Sequence, residues 1–285
     1  MIQSSMFSRL TEWIDRREAL RLGTAKGSHV IDGWRWCNVN RCEDRETKWI
    51  FKNVIGEMDG DPTLWFNLVI ARFINWHPTL AELLPIYHWN EDRFCSLIRR
   101  RMLAKEKVYT GAYMIRAGTG EDALLTKERY LCKRVFAPLW ERRNQVPASL
   151  APTCNEWDRF FSKTFGMGDF MRNQVITDMK YSRHLPMHRT LDWSTFILAG
   201  PGTCRGLCRL HGEPIKTERK TAKRDLIELR DTLVALYCEN PYLVESFRDL
   251  NNVSNCMCEF DKFMRLLNGE GTPRSRYTPS KSPLP

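Results

Sequence analysis

The sequence predicts a mainly α-helical protein in two lobes, and three observations carry that prediction. Apolar residues recur at helical spacing along most of the chain, while alternating runs bounded by turn residues are few. The 285 residues, 42% of them hydrophobic, suffice for one large domain or two lobes. Residues 144–153 read as a connector, which places the lobes at 1–145 and 146–271, with the tail 272–285 too poor in apolar residues to order.

Element by element, residues 4–22 form a first helix and Trp34–Phe51 a second, with Arg41, Asp44, Arg45 and Lys48 on its polar face. An apolar helix follows over 61–76, then a short one over Thr79–Leu84 started by Pro78, then a basic one over 90–105. The stretch 107–120 is turn-rich, with Val108, Tyr109 and Tyr113 as short strand material, and Lys127–Trp140 returns to helix. In the second lobe, Gly168 and Asp169 open a helix whose Met171, Val175 and Met179 form an apolar stripe beside a polar one of Gln174 and Asp178. Leu191–Ala199 and Thr203–Leu210 read as two arms joined by a Gly200-Pro201-Gly202 turn. A charged stretch over 213–230 leads into a helix through Leu236. The last helix puts Phe260, Phe263, Met264 and Leu267 on one face, with Glu259–Lys262 and Asp261–Arg265 as ion pairs.

Charge narrows the function classes. With 44 Lys+Arg against 34 Asp+Glu, the net charge of +10 attracts a polyanion, although such runs also serve as solvated faces. No segment reaches the ~20 apolar residues of a membrane span, and the first ten residues lack a signal-peptide pattern, so a soluble intracellular protein without a membrane partner is expected. Ten cysteines fit a reducing compartment. They form no pair of C-x2-C hooks, and the six histidines form no H-E-x-x-H, so no metal is assigned.

The Gly200-Pro201-Gly202 turn is the most informative stretch. Glycines at 200 and 202 permit positive φ, which leaves the amides of Thr203 and Cys204 free at a positive helix end to hold a phosphate. Arg205, one turn before Arg209, adds charge there, and Gly206 continues the motif. The same turn also suits a plain connection between packed helices, and the residues alone leave both readings open. No G-x-x-x-x-G-K-[ST] run occurs, so the P-loop phosphate cradle is not encoded in these residues.

Six segments in order carry a family resemblance: Trp36–Arg45, Ala71–Trp76, Thr110–Ile115, Gly168–Lys180, Gly200–Leu207 and Cys258–Lys262. The chain resembles bacteriophage DNA base hypermodification proteins, namely the helical domain of 5-hydroxymethyluracil DNA kinase and the related alpha-glutamyl/putrescinyl thymine pyrophosphorylases, over roughly residues 6–276. The resemblance implies a two-lobed helical fold like that of helix-hairpin-helix DNA glycosylases, with Leu198–Leu207 as the hairpin. The four-cysteine cluster of the iron-sulfur glycosylases is lacking.

The implied partner is double-stranded DNA with modified thymine in the cytoplasm of an infected host cell, beside an amine donor and a separate DNA kinase. The implied reaction transfers an amine onto pyrophosphorylated 5-hydroxymethyluracil. In that scheme Asp261 or Asp178 takes the proton of the amine and Lys262 serves with them as a catalytic cation. Arg35 and Arg41 hold pyrophosphate, while Asn38 and Gln174 read base edges. Gly200, Gly202, Thr203, Arg205, Gly206 and Lys180 hold the DNA backbone, with a cation at the hairpin as the only cofactor position considered. A non-catalytic DNA-binding domain that partners the kinase is the alternative reading, and a base-excision glycosylase is a third.

Overall fold

The computed structural model describes residues 2–110, 120–273 and 276. Among them every regular element is a helix, and the only β contact is an isolated bridge between Trp34 and Arg276. Tyr113, the motif residues 111–115 and most of the tail lie outside the described residues. Arg276 is an exception within the tail, since its guanidinium stacks on the Trp34 ring at 3.9 Å. No helix among the described residues is long and apolar enough to cross a membrane.

Helix α1 spans Ser4–Leu22 and stops at Gly23, whose φ of 69° returns the chain. The single helix expected over Trp34–Phe51 is not formed. Trp34 to Asn40 is non-helical, a 3-10 turn covers Arg41–Glu43, and α2 (Arg45–Ile50), a π turn (Phe51–Ile55) and α3 (Gly56–Met58) follow. Polar side chains explain the late start. The Asn38 amide N–H donates to Asp44 Oδ1 at 2.8 Å, and the Cys42 N–H donates to Asn40 Oδ1 at 2.9 Å, bonds that compete with a helical ladder.

Helix α4 (Leu64–Ile74) is buried at every position and ends at Asn75 in the left-handed region. Helix α5 (His77–Leu83) has Pro78 in its first turn, and α6 (Glu91–Leu103) is capped by Asn90, whose Oδ1 accepts the Arg93 N–H. Val108 makes no strand; its carbonyl accepts the Thr79 hydroxyl at 2.9 Å. The helix expected from Lys127 is present as α7 (Lys127–Leu131), a π segment (Cys132–Phe136) and α8 (Ala137–Glu141). A Thr153–Glu156 capping box starts α9 (Cys154–Ser162), and α10 spans Asp169–Met179.

The first arm expected over Leu191–Ala199 is a series of turns and then extended chain, so the Gly200-Pro201-Gly202 turn opens a helix without closing one. A short apolar run without caps fits either state, and here packing takes the non-helical one. Helix α11 spans Pro201–His211, α12 Ala222–Leu236, α13 Pro241–Arg248 and α14 Leu250–Leu267.

The chain folds as two compact units, residues 1–45 with 194–285 and residues 46–193, so the expected division at 145/146 falls inside the second. The first unit buries Leu10, Trp13 and Ile14 of α1 against Leu207 and Leu210 of α11 and against Val253, Met257 and Phe260 of α14. Leu226, Leu229 and Leu233 of α12 complete that core, whereas Leu267 is 39% exposed and leaves the face predicted for it. The second unit is organised around α4, whose Trp65 and Phe66 rings meet Trp157, Phe160, Phe161 and Phe136.

Helices α11 and α14 approach closely because glycines face the contact. A Cβ on Gly206 would stand 2.1 Å from the Met257 carbonyl oxygen, and one on Gly202 would stand 2.5 Å from Cys258 Sγ. Gly206→Ala is therefore expected to destabilise by about 1–3 kcal/mol or more, although alanine is the better helix former by about 1 kcal/mol. Gly200→Ala meets nothing within 4 Å and should cost no more than about 1 kcal/mol as a poorer N-cap. Urea unfolding of the two variants checks the contrast.

Candidate functional site

The candidate site residues divide between the two units. Gly200, Gly202, Thr203, Arg205, Gly206, Asp261, Lys262, Arg35, Asn38 and Arg41 belong to the first, and Asp178, Lys180 and Gln174 to the second. The structure therefore brings Asp261 and Lys262 together in one unit and places Asp178 in the other.

In the first unit the turn is built into the packing of two helices. Gly200 has φ −78°, and neither it nor Gly202 has positive φ, so the conformational reason proposed for these glycines does not hold. The Cys204 N–H is not free, since it donates to the Gly200 carbonyl at 3.0 Å. Thr203 is buried, and its hydroxyl meets the Ser254 carbonyl at 3.1 Å and hydroxyl at 2.9 Å. Gly202 and Gly206, four residues apart, face α14.

Asp261, with no exposed surface, sits across from the same helix. Its Oδ2 accepts from Arg205 Nε at 2.8 Å and its Oδ1 from Arg209 Nε at 2.9 Å. The expected Asp261–Arg265 pair is replaced by these two because the Asp261 face of α14 lies under α11. Both carboxylate oxygens are thus engaged by cations that neighbour one another at i,i+4.

Lys262 does form the expected pair, with Glu259. Glu259 is buried to 1% exposure and its Oε2 also lies 3.5 Å from the Cys37 amide nitrogen. Around this carboxylate gather Asn38, Asp44 and Arg17. Arg17 Nε donates to the Cys37 carbonyl at 3.0 Å and its Nη2 to Asn38 Oδ1 at 2.5 Å, while Asn38 Nδ2 donates to Asp44 Oδ1 at 3.1 Å. Asn255 of α14 donates to the Asn38 carbonyl at 3.3 Å. Asn38 is thus held on both edges by protein groups.

Arg41 is buried, and its backbone N–H donates to Asn252 Oδ1 at 3.0 Å. Its charge serves Asp44, whose carboxyl it stabilises in the ionised form. Arg35 is exposed. Lys262 and Arg205 also reach solvent, with side chains 40% and 30% exposed, and both act on Cys258.

The electrostatics specify what these groups can do. Burial alone would lower the Lys262 ammonium, but Glu259, Cys37 and Cys258 raise it above its ordinary value, so it stays a cation and is no base. Burial raises the Cys37 thiol well above its ordinary value, with Glu259 and Asp44 adding to the rise. Burial likewise pushes Cys258 up to about 11, with Lys262 opposing. Neither thiol is a nucleophile at neutral pH. Burial raises the Asp44 carboxyl to about 6, against the Asn38 N–H and Arg41, which lower it.

In the second unit Asp178 is fully buried and bidentate to Arg72, with Nε–Oδ2 2.5 Å and Nη2–Oδ1 2.6 Å. Arg72 also donates to Asn75 Oδ1 at 3.2 Å and Thr47 Oγ1 at 3.1 Å. Lys180 is buried, with its ammonium 4.2 Å above the Trp193 ring, so the surface role expected of it is not available. Gln174 is partly buried on α10. No group of metal-type ligands stands at the turn among the described residues.

Sequence reasoning passed over Arg72, Glu259 as a hub, and Asp44. The signal for Arg72 was present: it is the only charge in the apolar run Leu64–Ile74. A lone charge in a buried helix requires a buried partner.

Among the described residues the chain is all-helical, with polar side chains, glycine contacts and ion pairs gathered along α11 and α14. The family described as the 5-hmdU DNA kinase helical domain matches residues 4–272, and the chain belongs to that family. No curated protein and no solved structure matches it.

Two outcomes test this description. Asp44 has a folded-state pKa above its unfolded value, so the folded state takes up a proton as pH falls through about 6, and stability attributable to this group falls as pH rises from 4 to 7. Asp44→Asn keeps an oxygen for Asn38 and removes the charge. Its unfolding midpoint relative to wild type is expected to rise over that pH range, and a constant difference would refute the assignment. Arg72→Met removes the bidentate guanidinium from the buried Asp178 and is expected to cost about 3–5 kcal/mol in urea unfolding.

Proposed function

We propose that the chain engages phage DNA containing 5-hydroxymethyluracil, within the host cytoplasm, as the helical DNA-binding partner of a 5-hydroxymethyluracil DNA kinase. The family match over residues 4–272 carries this reading. The first turn of α11, with Arg205 and Lys262 reaching solvent beside Cys258, supplies the cations for a DNA backbone. Arg35, exposed in the same unit, is a further cation proposed to meet phosphate. Phosphate contacts of this kind position a protein on DNA; Asn38, held on both edges by protein groups, is withdrawn as a base reader.

The binding role is favoured over proton transfer by the state of the carboxylates. Asp261 is held by two guanidiniums and Asp178 by one, and neither has an exposed oxygen to take a proton from an amine. The second reading is amine transfer to pyrophosphorylated 5-hydroxymethyluracil in DNA. Lys262 favours it, because a cation held in its charged form beside solvent suits a departing pyrophosphate. Pyrophosphate would leave with the electrons of the carbon–oxygen bond as the amine nitrogen bonds to the methylene carbon and loses its proton to solvent.

One experiment separates them. Duplexes containing thymine, 5-hydroxymethyluracil or its pyrophosphate ester are titrated with protein, then incubated with an amine pool and digested for nucleoside mass spectrometry. The binding reading expects unchanged nucleosides and affinity that falls about tenfold in Arg205→Met with Lys262→Met, a loss of about 1.4 kcal/mol. New amine nucleosides that vanish in Lys262→Met would replace it with the transferase reading, and absence of any DNA binding at low salt would remove both.

A further inference from the structure

The second unit repeats one spacing on two packed helices. Glu91 and Cys95 stand four residues apart on α6, and Glu128 and Cys132 stand four apart where α7 passes into its π segment. Each spacing puts a carboxylate and a thiol on one helix face, and π segments widen a helix at functional positions. Cys95 Sγ and Cys132 Sγ are 3.7 Å apart, and a Glu91 carboxylate oxygen joins them with all three atoms within 4.8 Å of one another. A tetrahedral ion with metal–sulfur bonds of about 2.3 Å sets its two sulfurs about 3.8 Å apart. The observed separation is the edge of that tetrahedron and is far longer than the roughly 2.0 Å of a disulfide.

A second observation points to the same place. Glu128 is 3% exposed, and among the described residues neither its Oε2 nor the buried Tyr109 hydroxyl has a hydrogen-bond partner. Glu128 acts electrostatically on Cys95, and both cysteines act on Tyr109. A buried carboxylate oxygen without a donor is costly unless a cation compensates it.

We propose that Glu91, Cys95 and Cys132 bind one zinc ion as its three protein ligands, with the fourth position left to solvent. Two sulfur donors select a thiophilic ion, and the carboxylate suits a divalent one. Binding forms two zinc–sulfur bonds and breaks two S–H bonds, releasing both protons to solvent. Arg129, whose Nη1 lies 2.8 Å from Glu91 Oε1, balances the negative charge of the resulting centre. The ion ties α6 to the helical run that starts at Lys127. This assignment is independent of the DNA reading.

The full chain, purified with reductant and zinc, is expected to contain one zinc per molecule by mass spectrometry of the metal. After chelation, cobalt titration should give a sulfur-to-cobalt charge-transfer band and the intense visible bands of a tetrahedral ion. Both signals should vanish in Cys95→Ser and Cys132→Ser and persist in Cys238→Ser, a change at an exposed cysteine of the other unit. Wild type that takes up neither metal overturns the proposal even if the serine variants fail to fold. So does a double serine variant that still binds one zinc, or a Cys95–Cys132 disulfide with no metal uptake.

Discussion

The contact between α11 and α14 is the constraint on which the first unit depends. Two glycines on α11 bring its backbone against Met257 and Cys258, a separation that no side chain at Gly206 would permit. At that distance the Asp261 carboxylate cannot reach water, and Arg205 and Arg209 must meet it from the facing helix. Packing therefore dictates the electrostatics. The buried acid is stabilised only because the helix that buries it also brings two guanidiniums.

The second unit solves the same problem with one pair. Helix α4 is apolar except for Arg72, and α10 carries Asp178 to it, with Asn75 and Thr47 satisfying the remaining guanidinium donors. In both units a carboxylate that invites a catalytic reading by residue type is committed to holding helices together. In the first unit the cations Lys262 and Arg205 beside that carboxylate reach solvent, and cations bind phosphate. That division of labour is why the proposed function rests on binding first.

Helical period and end signals made α1, α4, α6 and α14 legible in the sequence, since each carries a long apolar stripe. The Trp34–Phe51 helix was not legible because Asn38, Asn40 and Asp44 take backbone amides for their own side chains, an outcome that depends on long-range support from Asn252 and Asn255. The 191–199 arm was too short for its apolar content to distinguish helix from extended packing. At the site, the Glu259–Lys262 pair is local and could be read from spacing, whereas Asp261 finds partners more than fifty residues away. The i,i+4 spacing of Gly202 and Gly206 is the sign of a helix crossing that the phosphate-turn reading of these residues passed over.

The central claim is that Asp261 holds α11 to α14 and transfers no proton. A double-mutant cycle on Asp261→Asn and Arg209→Met, read by urea unfolding alongside DNA binding, tests it most directly. The account predicts a favourable coupling of about 0.5–3 kcal/mol, with affinity for 5-hydroxymethyluracil DNA unchanged in the folded fraction. Additive stabilities, together with a modification reaction abolished by Asp261→Asn alone in a fully folded protein, would contradict it.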